Sequence, residues 1–101
     1  MYENLSFVEI KEFLTRNKKN IEKNFGIKSI GIFGSFVKGE ANAYSDIDIL
    51  IEFQKDKETF RNFMGLKFYL EEELNRKVDI VIKDSIKPLI KSEILREVVY
   101  A

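Results

Sequence analysis

Helical and extended patterns alternate along the chain. Phe7, Ile10, Phe13, Leu14, Ile21 and Phe25 fall on an interrupted helical stripe. Ser6 and Glu9 stand as an S-x-x-E capping box in front of it, and Leu5 and Ile10 occupy the flanking staple positions. Gly26 is a natural stop, since it tolerates the left-handed conformation that closes a helix. The polar stretch Thr15–Lys23, with Arg16, Lys18, Lys19 and Lys23, reads as the solvated face. A first strand is predicted over Ile27–Phe33, with Ile30 and Ile32 on one face, breaking at Gly34-Ser35. Phe36–Lys38 has room for a helical turn or two, and Gly39–Tyr44 reads as a loop.

Ile47–Phe53 is the clearest strand. Ile47, Ile49, Ile51 and Phe53 lie on one face, and Asp46, Asp48, Leu50 and Glu52 on the other. Asp56 or Thr59 caps a second long helix that ends near Asn75, with Phe60, Phe63, Met64, Leu70 and Leu74 as its core face and Gly65 interrupting it. Val78–Ile82 alternates as a third strand. Pro88, the sole proline, suits the first turn of a final helix whose stripe is Ile90, Ile94, Leu95 and Val98. This order predicts an α+β fold, an α/β sandwich around a small sheet, as a single domain spanning residues 1–101.

Composition narrows the chemistry. Apolar residues make up 45% of the chain, which excludes disorder. Seventeen basic and seventeen acidic residues cancel, so strong nonspecific attraction to nucleic acid or anionic membrane is not expected. Cysteine is absent, which removes thiol nucleophiles, disulfides and zinc ribbons. Histidine is absent as well, so a general base has to be a carboxylate, a lysine or water, and a metal site has to be built from oxygens. Met1-Tyr2-Glu3-Asn4 lacks the pattern of a signal peptide and no apolar run is long enough to span a bilayer, so a cytoplasmic protein is expected.

Three features carry possible chemistry. Gly34-Ser35 directly follows a strand, where glycine lets backbone N–H groups approach an anion and the serine adds a hydroxyl; an ordinary turn reads the same way, and Gly39 can be a plain helix stop. Asp46-Ile47-Asp48 places two carboxylates on one strand face, about 6.5–7 Å apart at Cα. They repel each other and can converge on a hard cation; the alternative is a polar strand end where Ser45 and Asp46 satisfy backbone groups. Asp79 interrupts the β-branched run Val78–Ile82. It either guards an edge strand or joins Asp46 and Asp48 on one face, forming an oxygen site suited to Mg²⁺ or Mn²⁺.

The run from Gly34 to Ile51, Gly34-Ser35-Phe36-Val37-Lys38-Gly39 followed by Ser45-Asp46-Ile47-Asp48, resembles the G-S-x-x-x-G-x(n)-S-D-x-D signature of the DNA polymerase beta-like nucleotidyltransferase superfamily. Val78-Asp79-Ile80-Val81 resembles its third acid. The length and the finish at Leu95–Tyr100 resemble the minimal nucleotidyltransferases (MNT), antitoxin-type partners of helical HEPN-domain proteins. Many relatives carry Arg where this chain has Lys38, which keeps the charge but loses the planar fork. The resemblance implies a nucleotidyltransferase-like fold with a small mixed sheet of three to four strands flanked by helices. It implies that Asp46, Asp48 and Asp79 are catalytic and hold two Mg²⁺ ions, and that Gly34, Ser35, Lys38, Gly39 and Ser45 bind the nucleotide. The implied reaction moves AMP from ATP to a protein hydroxyl, a tyrosine of a cognate HEPN toxin, within a type VII-like toxin–antitoxin pair. Two alternatives stay open: transfer to a small molecule, as in antibiotic-modifying relatives, and an antitoxin that neutralises its partner by binding alone.

Overall fold

The computed structural model describes residues 5–101; the reading of Met1–Asn4 lies outside them. Helix α1 (Phe7–Phe25) starts as its sequence dictates. Glu9 N–H donates to Ser6 Oγ at 3.2 Å, and Ser6 N–H donates to Glu9 Oε1 at 3.0 Å. Leu5 and Ile10 are both buried, as a staple requires, and Gly26 ends the helix at φ 67°. Strand β1 (Ile27–Phe33) leads through Gly34 into the single-turn helix α2 (Ser35–Lys38), and a loop then reaches β2 (Ile47–Phe53). Helix α3 (Phe60–Leu74) connects β2 to β3 (Val78–Ile82). A 3₁₀ turn (Lys83–Ser85) and helix α4 (Pro88–Glu97) lead to a two-residue strand, β4 (Val99–Tyr100).

The four strands form one mixed sheet in the order β3-β2-β1-β4. β1 runs antiparallel to β2 and β4, and β2 runs parallel to β3. This is the expected small mixed sheet flanked by helices, with β4 as the fourth strand that no periodicity announced.

Alternation divides the sheet into two faces. Ile30, Ile32, Ile47, Ile49, Ile51, Val78 and Ile80 point into the main core, together with Leu14 and Ile21 of α1 and Leu66, Leu70 and Leu74 of α3. A register shift between Ile27 and Ser29 lets Ile27 and Ile30, three apart, both be buried. The opposite face carries Gly31, Phe33, Asp48, Leu50, Glu52 and Asp79, set by the pairings Gly31↔Leu50, Phe33↔Asp48 and Asp48↔Asp79.

Of the two caps offered for α3, Thr59 is the one used, accepting from Asn62 N–H at 3.1 Å. The apolar faces of two helices need correction. Phe60 is 80% exposed because it sits in the first turn, off the stripe, whereas Leu66, unnamed in the sequence reading, is fully buried and extends the i, i+4 row through Leu70 to Leu74. The apolar stripe of α4 is also not a core face. No residue of α4 is buried, and Leu89, Ile90 and Leu95 are exposed.

Candidate active site

Gly34 is the pivot of the site. It has φ 80° and ψ −149°, a conformation open in practice only to glycine. A Cβ built there would collide with Asp48 Oδ2 and lie 2.9 Å from Asp48 Cγ. The turn is therefore pressed against a carboxylate of the neighbouring strand, with Phe33 paired opposite Asp48 in the ladder. Ser35 follows at the start of α2, and its backbone N–H is turned to the Asp48 carboxylate.

Parallel pairing of β2 and β3 sets Asp48 beside Asp79 on the same sheet face. Burial pushes the Asp48 carboxyl above its ordinary value, and the charges of Asp79, Asp46 and Glu97 push it further; only the Ser35 N–H pulls it down. Asp48 is half-buried, whereas Asp46, just ahead of β2, and Asp79 are exposed. The three predicted acids thus share one region at the mouth of the sheet. Among the described residues, no group of three or more acids is gathered into a ready-made ion cage. The donor set still fits Mg²⁺, which is typically held by one or two carboxylates while phosphate oxygens and water fill its remaining positions.

The other predicted residues take more varied places. Lys38, at the end of α2, pairs with Glu97 Oε2 at 3.5 Å. Gly39 closes α2 at φ 74°, its N–H donating to the Ser35 carbonyl, and an added Cβ there would meet nothing within 4 Å. Ser45 Oγ accepts from Asn42 N–H at 2.9 Å, so its hydroxyl oxygen closes the loop that delivers Asp46.

Two residues at the site escaped sequence reasoning. Arg76 Nη1 donates to the carbonyls of Asn42 and Ser45 at 3.2 and 3.0 Å, and its guanidinium lies 5.5 Å from the Phe36 ring centre. It ties the Asp46 loop to α2 and to the entry of β3. Glu97 Oε1 accepts from Gly34 N–H at 2.9 Å. Nothing in the sequence pattern marks either one, because their partners are remote along the chain.

This arrangement, a glycine turn against paired carboxylates on adjacent strands, can bind an anion next to hard-cation donors. The sequence matches the nucleotidyltransferase domain family over residues 9–101. It is 45% identical over 96 residues to the protein adenylyltransferase MntA of Thermococcus cleftensis, covering 95% of this chain and 96% of that protein. A solved structure assigned as a minimal nucleotidyltransferase superposes at TM-score 0.72 with 31% identity, over 87% of this chain and 92% of the other. A chain from the complex of a tri-AMPylated Shewanella oneidensis HEPN toxin with its MNT antitoxin superposes at TM-score 0.62, over 89% of this chain and 70% of that one. Its 17% identity makes that a likeness of fold. The chain belongs to the nucleotidyltransferase domain family, among its minimal nucleotidyltransferases.

Proposed function

We propose that this chain, acting as one unit in the cytoplasm, is a protein adenylyltransferase that moves AMP from ATP to a hydroxyl of a cognate HEPN-type toxin and so acts as its antitoxin. The observation that carries the reading is the register of Asp48 with Asp79 beside the Gly34 turn. The 45% identity to a protein adenylyltransferase supports the protein acceptor, and the fold shared with an MNT antitoxin bound to an AMPylated toxin supports the partner.

In this reading Ser35 and Lys38 receive the phosphates at the turn that Gly34 makes, and Gly39 and Ser45 fix the two ends of the loop that delivers Asp46. Asp46, Asp48 and Asp79 would hold Mg²⁺, two ions when fully loaded. The bound metal supplies charge neutralisation at the α-phosphate and acidifies the acceptor hydroxyl. The acceptor oxygen attacks the α-phosphorus, the bond from that phosphorus to the bridging oxygen breaks, and pyrophosphate leaves. In the same reading Asp79, whose side chain is exposed, takes the acceptor's proton, a role open to a carboxylate in a chain without histidine. A tyrosine fits as acceptor because its phenol gives up a proton more readily than an alcohol does.

The test is intact-mass analysis of the co-purified partner after incubation with ATP and Mg²⁺. A nucleotide-sized increase is expected with wild type. Asp46→Asn and Asp48→Asn should lose it by at least about a hundredfold in rate while remaining folded. An unmodified partner that is still bound and silenced would favour neutralisation by binding alone. Labelling of free small-molecule hydroxyls, with the partner untouched, would favour the antibiotic-type reaction.

A further inference from the structure

Glu97 stands in an electrostatically poor position. It is the last residue of α4, where a carboxylate faces the negative end of the helix dipole. Its charge also adds to that of Asp48 across the site. Packing does not demand it, since no residue of α4 is buried.

What offsets these costs is a pair of contacts to one short segment. Glu97 Oε1 accepts from Gly34 N–H at 2.9 Å, and Oε2 lies 3.5 Å from Lys38 Nζ. Gly34 is the residue before α2, and Lys38 is its last residue. A single carboxylate thus spans both ends of the turn. The backbone contact is the firmer of the two, because it is charge-assisted and partly buried, whereas the Lys38 side chain is 51% exposed and its pair is screened. Gly34 consequently lies between two carboxylates: Asp48 on the side where a Cβ would point, and Glu97 at its N–H. Its glycine-only backbone conformation has no side chain of its own to hold it.

We propose that Glu97 is a positioning residue for nucleotide binding: its carboxylate clamps both ends of the Gly34–Lys38 turn and keeps Ser35 and Lys38 in the arrangement that receives the phosphates. The proposal rests on the adenylyl-transfer reading. Glu97 touches no reacting atom and acts through the turn.

The experiment is calorimetric titration of the folded protein with ATP in the presence of Mg²⁺, comparing wild type, Glu97→Gln and Glu97→Ala. Loss of a hydrogen bond to a charged group predicts ATP affinity about tenfold or more weaker in Glu97→Ala. Glu97→Gln keeps an oxygen that accepts from Gly34 N–H but gives up its charge and the exposed ion pair, so its loss should be clearly smaller than that of Glu97→Ala. The amide signal of Gly34 should move far in Glu97→Ala and little in Glu97→Gln. A merely structural role would lower melting temperatures and leave affinity below melting unchanged. Should Glu97→Ala fail to fold, Glu97→Asp replaces it: it keeps the charge but is one methylene short, and the same weakening is expected. Wild-type affinity in the shortened or truncated variant overturns the proposal. Tighter binding also overturns it, since the carboxylate would then compete with phosphate. A wild-type chain that binds no ATP overturns the adenylyl-transfer reading together with it.

Discussion

Replacing Gly34 with alanine tests the central contact of the site. The substitution has two separable costs. At φ 80° and ψ −149° a side chain strains the backbone by about 1–3 kcal/mol. The new Cβ also meets Asp48, with Cγ at 2.9 Å and Cβ at 3.1 Å, so rotation of the carboxylate alone does not clear the overlap; overpacking of this kind costs about 1–3 kcal/mol. The sum is about 2–6 kcal/mol, and each kcal/mol lowers the melting temperature by about 4–8 °C in a domain of this size. Gly39→Ala is a reference for the milder case. At φ 74° and ψ 21° it lies in the ordinary left-handed region with nothing within 4 Å of its Cβ, so it carries backbone strain alone, and less of it than Gly34→Ala. Urea denaturation of wild type, both single variants, Asp48→Gly and Gly34→Ala/Asp48→Gly separates the terms. Gly34→Ala should be less stable than Gly39→Ala by at least about 1–3 kcal/mol, and in the Asp48→Gly background the cost of Gly34→Ala should fall by about 1–3 kcal/mol, the share due to overlap, leaving the backbone strain. Equal stability of the two alanine variants, or a double variant showing no recovery, would refute the close approach of Gly34 to Asp48.

Asp48 has a raised carboxyl, so the metal-free folded state holds its proton more tightly than the unfolded chain does. Stability from this group is therefore full below the unfolded value of about 3.9 and is lost as pH rises through the folded one; the gap by which Asp48→Asn exceeds wild type in thermal melts should widen from pH 4 to pH 7 and close when Mg²⁺ is added. A gap that narrows with rising pH would contradict the crowding of Asp48 by its acidic neighbours. Asp79→Asn should leave metal-free stability unchanged or raise it by about 0.5–2 kcal/mol, and should gain less melting temperature from Mg²⁺ with ATP than wild type gains; a large metal-free loss would make Asp79 a structural acid. Arg76→Ala removes two donated hydrogen bonds and the contact with Phe36, for an expected loss of about 1–3 kcal/mol in urea denaturation, with Arg76→Lys recovering little of it because an ammonium lacks the planar guanidinium; full recovery by lysine would show that charge alone matters.

β2 and β3 were legible because Ile47, Ile49 and Ile51, and Val78, Ile80 and Ile82, recur at every second position; β1 was legible from Ile30 and Ile32 and from its break at Gly34, although its register shift leaves its alternation incomplete. The start of α1 was legible to the residue because a capping box is a local signal. Asp48 and Asp79 were identifiable because a carboxylate in a β-branched run violates local preference. Their register was beyond the sequence, since it depends on how far α3 carries the chain before β3 begins. β4 has two residues, too few to show any period. The stripe of α4 looked like a core face because helical periodicity records amphipathicity and does not say whether anything covers it. Glu97 and Arg76 act on backbone groups, and any carboxylate or guanidinium could do so. Their roles become visible only once the fold brings Gly34 and the Asn42–Ser45 loop to them.

The bond between Gly34 and Glu97 joins residues 63 apart in the chain. At typical synthesis rates of about 5–20 residues per second, a nascent chain carries the glycine turn for several seconds before its clamp exists. β1 and β2 can pair in that interval, because the loop between them is short and cheap to close. The edge of β1 that β4 later covers stays open until Val99 and Tyr100 arrive, and Gly31 leaves no side chain in their way. The order of synthesis thus becomes an order of maturation, in which Asp48 is set into the sheet with β1 and β2, Asp79 joins it with β3, and the turn beside them is fastened only after α4 is made.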